Sequence, residues 1–466
     1  MDHYLNGSSQ SPGSDLQVRW ERVSPAGPVL FRAVGAIAIA LVCLSCEAIV
    51  RSPGGALFLG LLAMSYINYF VGGRDVLFPA FMYTAIWATV AAAYAFCPIE
   101  IDQIGWRTVV FLLAGGASFS AGSLIGNRPL LPTKHTESVA RNINRQSDNP
   151  QARNILLGCT ILVTSLLIII VLRASGGISG LSLAFLLKLN SPDSPLQDAG
   201  LFAALIAGSG GLLPVLTLWV LLMEERRRWK IVLCAICAAV FPLLVTQRGL
   251  VMVAFCGCLT LYLLKRKDRT FLGTAKPLSL AGAGIVVLMT LLSYSKSWVQ
   301  KPGGFTITQG AWMYIAGPIA TFNYFIYHPE TFKDEPAAVL AQVLTPLSKL
   351  GLVRYRTLLE VNGQQTDRFV FVPFPGNVYT AYKPYYEDFG ATGCLVAFAF
   401  FGFIEGALFS SSNRGNPYAI FFFTYLAGAM MFTTFDDTYH GISRHLNIAV
   451  FIIGYFWILK RIRIRI

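Results

Sequence analysis

Gly376-Asn377-Val378-Tyr379-Thr380-Ala381-Tyr382-Lys383-Pro384-Tyr385-Tyr386-Glu387-Asp388-Phe389-Gly390 closes the longest polar segment of an otherwise apolar chain and runs directly into another apolar segment. Four tyrosines, two carboxylates, an asparagine and a lysine crowd the edge of what reads as a membrane. Polar groups held at such a depth are costly unless they serve a site. An aromatic interface belt accounts for the tyrosines. It does not account for Asn377, Glu387, Asp388 and the bracketing Gly376 and Gly390. The stretch reads as a functional loop.

The membrane reading rests on the whole chain. Of 466 residues, 55% are hydrophobic and 13% charged. A soluble domain carries about 25% charged residues. Long apolar runs at about half that value mean an all-α polytopic membrane protein. The net charge of +13 would raise nucleic acid as a partner in a soluble protein. Here the basic residues fall mainly in alternate loops, so topology explains them and no nucleic acid is expected. The nine cysteines are scattered. Cys234 and Cys237 form a C-x-x-C inside an apolar run, which reads as packing rather than a redox or zinc pair. Residues 1–26 form a polar tail with no apolar stretch of signal-peptide type.

Segments of roughly 20 apolar residues mark the expected spans. They fall at about 29–50, 55–71, 77–97, 105–126, 154–173, 201–223, 231–246, 250–264 and 277–294. After a long segment, 295–390, come three more at about 391–410, 417–434 and 446–459. This divides the chain into a tail (1–26), a block of nine helices (27–294), a loop domain (295–390) and a final block with a basic tail (391–466). An apolar patch at Leu181–Leu189 fits a segment lying on the membrane surface. With the tail in the cytoplasm, the loop 127–153, Arg226–Lys230, Lys265–Arg269, Arg74 and Arg414 all fall inside, as the positive-inside rule requires. About twelve spans and two cytoplasmic termini follow from the same rule.

The segment 295–390, the turn 435–444 and Arg248 then share the outer face. Basic residues there, among them Arg356 and Lys383, run against the charge bias. For most of them a solvated loop surface suffices. Arg248 and Arg444 are different, because each sits at a span end with little loop to carry it into water. An arginine beside Gly249 can hold a phosphate through its planar fork. Asp436, His440 and Arg444 recur at i, i+4 and i+8, which on a helix gives one face carrying an acid, an imidazole and a cation. Tyr379, Tyr382 and Tyr386 at i, i+3 and i+7 would likewise share a helical face able to stack on a sugar. Adjacent Glu387 and Asp388 would diverge, so they do not read as a paired acid and base. No phosphate-binding loop, dinucleotide fingerprint, zinc spacing or calcium loop stands out. No cofactor, nucleotide or metal is expected.

Twelve or so spans, one large late outer loop and Thr246-Gln247-Arg248-Gly249 together resemble the Wzy-type polymerases of oligosaccharide repeat units. So do Asn377, Tyr379, Tyr386, Asp388-Phe389-Gly390 and Gly393 leading into a span, and Ser443-Arg444 opening the last one. The layout is also similar to that of O-antigen ligases, which share the membrane glycosyltransferase fold called GT-C. The resemblance implies a bacterial inner-membrane enzyme with its active face in the periplasm. Its substrates would be oligosaccharides on undecaprenyl diphosphate, joined without metal as undecaprenyl diphosphate leaves. Arg248 and Arg444 would clamp the diphosphate, with Asn377, Tyr379, Tyr382, Tyr386 and Arg356 toward the sugar. The base is left open among Asp388, Glu387, Asp436 and His440. In this family chain length is usually set by a separate regulator. A ligase of the same fold and a lipid-linked sugar transporter are the alternatives. The transporter fits less well, because no internal repeat is evident and most charges lie at span ends.

Overall fold

The structure is a computed structural model. The residues it describes are 52–127, 149–177, 200–225, 227–245, 248–266, 268–280, 282, 284, 307–363, 367–435 and 442–458. The expected first span, the patch at Leu181–Leu189 and most of 277–294 lie outside these residues.

Helices dominate. In chain order they are α1 (Pro53–Val71), α2 (Pro79–Ala95), α3 (Trp106–Gly126), α4 (Pro150–Ala174), α5 (Gly200–Glu224), α6 (Arg228–Val245) and α7 (Arg248–Leu264). Residues 271–280 are also helical. Then come α8 (Ile307–Tyr327), a 3-10 turn (Pro329–Phe332), α9 (Ala341–Lys349) and α10 (Leu358–Asn362). A two-stranded antiparallel hairpin pairs β1 (Val370–Phe371) with β2 (Pro375–Gly376). The chain continues through α11 (Tyr382–Asn413), α12 (Pro417–Phe432) and α13 (Ile442–Ile452), and a π-helical turn follows at Ile453–Ile458. Three starts share one device, a Ser or Asn cap followed by proline. Ser52 caps α1, Asn149 caps α4 and Asn416 caps α12, each side-chain oxygen accepting first-turn backbone N–H groups.

Among the described residues, α1, α3, α4 and α11 are long and apolar enough to cross a membrane. The chain is a helical membrane protein. Two hydrophobic cores organise it. One gathers α1, α2, α3, α8 and α11 around Leu61, Trp87, Phe119, Phe322 and Phe398. The other gathers α4, α5, α6, α12 and α13 around Leu157, Trp219, Phe421 and Tyr455. α12 serves both, with Phe423 and Met430 in the first and Phe421 and Tyr425 in the second.

The tightest contact joins α3 to α11. A Cβ at Gly122 or Gly126 would collide with the backbone oxygen of Ala399 or Phe403. One at Gly402 or Gly406 would strike the oxygen of Phe119 or Ser123. Lipid offers little hydrophobic drive between helices, so close backbone approach through small residues holds them together. A buried polar knot adds to it: Asn68 of α1 donates to Ala80 O and Thr84 Oγ1 on α2 and to Ser120 Oγ on α3.

Where a single loop over 295–390 was expected, residues 307–327 form a helix. Ile319, Ala320 and Phe322 place it in the first core. Its apolar content is interrupted by Gly310, Gly317, Pro318 and Asn323, which kept it below the composition of a span. α11 is one continuous run only in outline. Gly390 has φ 68° and ψ −176°, splitting it into a polar turn, 382–389, and an apolar rod, 391–413. A positive φ of this kind favours glycine.

Candidate functional site

Two groups of turns gather at opposite ends of the bundle. α2 alone separates residues 72–78 from residues 96–105, and its 17 residues span about 26 Å. At the first end Arg269 pairs with Asp75 at 3.2 Å and donates to Asn413 Oδ1 at 2.9 Å. The second end holds the stretch 376–390. There Ala381 N–H donates to Thr433 O at 2.8 Å, and Asp102 N–H to Val372 O at 3.4 Å. Asn323 Oδ1 accepts from Gly105 N–H and from Thr108 Oγ1. The last turn of α12, the 96–105 loop and the hairpin therefore converge on it.

Lys383 lies at its centre. Its Nζ is 2.7 Å from Glu335 Oε2, 3.1 Å from Asp367 Oδ1 and 3.3 Å from Glu387 Oε2. The rings of Phe325, Phe332 and Tyr379 stand 5.7, 5.0 and 5.0 Å from the same ammonium. The side chains of Lys383 and Glu335 are almost completely buried, at 2% and 1% exposure. Arg368 extends the network, 3.6 Å from Glu335 Oε1 and donating to Thr331 O. Buried charges persist only when paired and hydrogen-bonded, and here each is. Burial opposes protonation of Lys383, but Asp367, Glu387 and Glu335 outweigh it and raise its affinity for the proton. Glu387 is the loose member. Only Oε2 reaches Lys383, while Oε1 is buried without a hydrogen-bond partner. Desolvation, opposed by Lys383 and reinforced by Glu335, pushes its carboxyl up to about 7.

Asp388 points elsewhere. Its two oxygens accept the backbone N–H groups of Ala338 and Val339 at 3.2 and 2.9 Å. Burial raises its pKa, and those amides pull against the rise. The two neighbouring acids diverge, as the sequence implies, and Asp388 acts as a structural clip.

Next to this cluster an apolar groove of about 500 Å³ runs between α3 and α11. Trp106, Arg107, Val110 and Phe111 of α3 line it, with Ile326 of α8 and Tyr386 and Leu395 of α11. Arg107 rests over the Tyr327 ring at 5.7 Å. Tyr386, which lines the groove, precedes Glu387 in the chain. Phe325 lies against both the Tyr386 ring and Lys383, so groove and charge cluster share a wall.

The three tyrosines do not form one exposed face. The helix begins only at Tyr382, so Tyr379 precedes it, buried, with its OH donating to Arg368 O. Tyr382 is buried, its OH 2.6 Å from Tyr83 OH and its ring stacked on Phe398. Tyr386 alone of the three lines the groove. Asn377 is half-buried beside β2, and Arg356 is exposed between α9 and α10. Arg248 opens α7 and Arg444 lies in α13, but the side chains of both fall outside the described residues. Asp436 and His440 lie outside them altogether.

Sequence reasoning missed Glu335, Asp367, Arg368 and Arg107, and gave Lys383 only a solvated role. The one available signal was Lys383 and Glu387 at i and i+4 beside a proline. Among the described residues no three His, Cys, Asp or Glu side chains come together to hold a metal ion; the three carboxylates surround an ammonium instead. No family model, curated protein or solved structure matches the chain.

Proposed function

We propose that the protein polymerises oligosaccharide repeat units carried on undecaprenyl diphosphate, at the periplasmic face of a bacterial inner membrane. The chain crosses that membrane about twelve times with both termini inside, by the positive-inside rule. The observation that carries the reading is the shared wall between an apolar groove and a buried acid: Tyr386 lines the groove, and the next residue, Glu387, keeps a carboxylate oxygen unpartnered. Such a site suits a substrate with a lipid tail and a sugar hydroxyl.

In this reading the lipid of the donor lies along Val110, Phe111 and Leu395, with Arg107 toward its diphosphate. The resemblance adds Arg248 and Arg444 as further anion ligands. Glu387 takes the proton from the acceptor hydroxyl as that oxygen bonds to the anomeric carbon. The bond from that carbon to the diphosphate oxygen breaks, and the diphosphate leaves with the bonding electrons. A carboxyl titrating near neutrality is matched to this task. Asp388, committed to two backbone amides, is less suited to it. Glu387 and Lys383 hold the proton and charge balance, while the aromatic wall keeps water from the reacting carbon.

The test uses purified protein and lipid-diphosphate-linked repeat units alone, with no nucleotide, metal or lipid A core. A ladder of products spaced by one repeat supports the reading. Glu387→Gln and Arg248→Ala are expected to remove the ladder while leaving folded protein. Transfer only after lipid A core and preformed polymer are supplied would make the protein a ligase instead. Movement of the lipid-linked sugar across vesicles with no new bond would make it a transporter.

A further inference from the structure

The segment 340–352 carries an apolar stripe with no counterpart in the reaction. Leu340, Val343, Leu347 and Leu350 follow one another at spacings of three, four and three along α9 and its flanking turns, so they keep to one side of the helix. Leu340 and Val343 are each 42% exposed, Leu350 is 72% exposed and Leu352 is 69% exposed. The helix ends on Gly351 at φ 73°, where Leu352 N–H donates to Leu347 O and Gly351 N–H to Ser348 O. That motif turns Leu352 back over the last turn, beside the stripe. Off the stripe the segment closes on itself: Ser348 Oγ donates to Tyr355 O, and Tyr355 OH donates to Ala337 O.

The position of this stripe identifies what covers it. Asp388 grips the backbone of Ala338 and Val339, and it stands two residues before the kink at Gly390 that opens the apolar rod 391–413. The start of α9 is thereby pinned at the level where a candidate spanning helix begins. Phe389, at that same level, is 44% exposed. Arg354 and Arg356 follow the stripe directly and are both exposed. Apolar groups facing water at these areas cost stability, whereas a bilayer surface covers the leucines and offers phosphates to the arginines.

We propose that α9 is an interfacial helix: Leu340, Val343, Leu350 and Leu352 enter the leaflet at this end of the bundle, and Arg354 and Arg356 engage anionic headgroups. It holds the Lys383 cluster at headgroup depth through the Asp388 clip, and it does so whatever reaction the site performs.

The experiment places the full-length protein in nanodiscs containing a phospholipid with a photoactivatable acyl chain, and maps labelled peptides by mass spectrometry. Peptides covering 340–352 should be labelled at a level close to that of Val396 and Phe400, exposed residues of the apolar rod. A Val343→Ser, Leu350→Ser, Leu352→Ser variant should lose that labelling by about fivefold or more, while labelling of 391–413 stays unchanged. Labelling should be stronger in phosphatidylglycerol than in phosphatidylcholine discs, and Arg354→Ala with Arg356→Ala should erase that difference. Wild-type labelling of 340–352 no higher than that of 357–363 would overturn the proposal. So would a disulfide between two copies in a Leu350→Cys variant with no lipid adduct on 340–352. Because the readout is lipid contact and not turnover, failure here is separable from failure of the polymerase assay.

Discussion

Glu387 is the residue on which both the proposed chemistry and the stability of the cluster turn. Its folded-state pKa of about 7 lies above the ordinary carboxylate value, because burial and the nearby Glu335 and Asp367 outweigh Lys383. Between the unfolded value near 4.5 and about 7, the folded protein therefore binds more protons than the unfolded chain. Stability contributed by this group is complete below that window and lost as pH rises through about 7. Thermal unfolding in nanodiscs should show a falling midpoint across that range, and Glu387→Gln should flatten it. An unchanged slope in Glu387→Gln would assign the titration to another group. Lys383→Met is a harsher change, since it strands three carboxylates around an uncharged thioether. Breaking a buried pair in this way costs about 3–5 kcal/mol, so denaturant titration should show a large loss, partly restored in Lys383→Arg. Half of this arrangement was legible. Lys383 and Glu387 stand one helical turn apart in a stretch that reads as functional from its polarity alone. Glu335, 48 residues from Lys383, was not legible, because the fold and no local pattern brings it there. The tyrosines misled for a related reason: i, i+3, i+7 spacing presumes a helix through Tyr379, and the helix starts at Tyr382.

Among the helices, apolar run length located the elements well, since a buried or lipid-facing helix is written in consecutive residues. α3 was expected at 105–126 and runs Trp106–Gly126. Its partner was not legible, because glycines mark a close approach without saying to which helix. The structure supplies the match of Gly122 and Gly126 with Gly402 and Gly406. Replacing Gly122 or Gly402 with Val drives a branched side chain into a carbonyl oxygen on the facing helix, with no flexible group to yield. Overpacking of this kind costs about 1–3 kcal/mol or more. Gly158 of α4 is the control, because a Cβ there meets nothing within 4 Å. Gly158→Ala should be neutral, or stabilising by up to about 1 kcal/mol from helix propensity. Unfolding midpoints of the three variants in one lipid would check this; equal midpoints would remove the glycine contact as a stabilising feature. α8 escaped the sequence reading because Pro318, Asn323 and its glycines dilute an apolar run that is buried by protein rather than by lipid.

At the scale of the molecule, charge is sorted between two ends. One end carries Arg269 with Asp75, and another group of ion pairs joins Arg153 and Lys230 to Glu225 at 3.4 and 3.1 Å. The segments 226–230 and 265–269 beside those pairs are rich in Arg and Lys, the composition that the positive-inside rule assigns to a cytoplasmic side. The other end carries Lys383, Glu335, Asp367 and Arg368, where acids balance the bases and the rule has least to say. An orientation that buries the first end in the cytoplasm satisfies the charge bias and puts the groove, the Glu387 site and α9 together on the far face. Arg414, at the end of α11, and Arg354, beyond α9, are exposed markers of the two ends. With the native cysteines replaced by alanine, Arg354→Cys should react with a membrane-impermeant maleimide in intact spheroplasts. Arg414→Cys should react only after the membrane is opened. Reaction of both from the same side would break the two-ended arrangement. The reverse pattern would keep the bundle but turn its site toward the cytoplasm, where flipped lipid-linked oligosaccharides are out of reach, and the polymerase reading would fall with it.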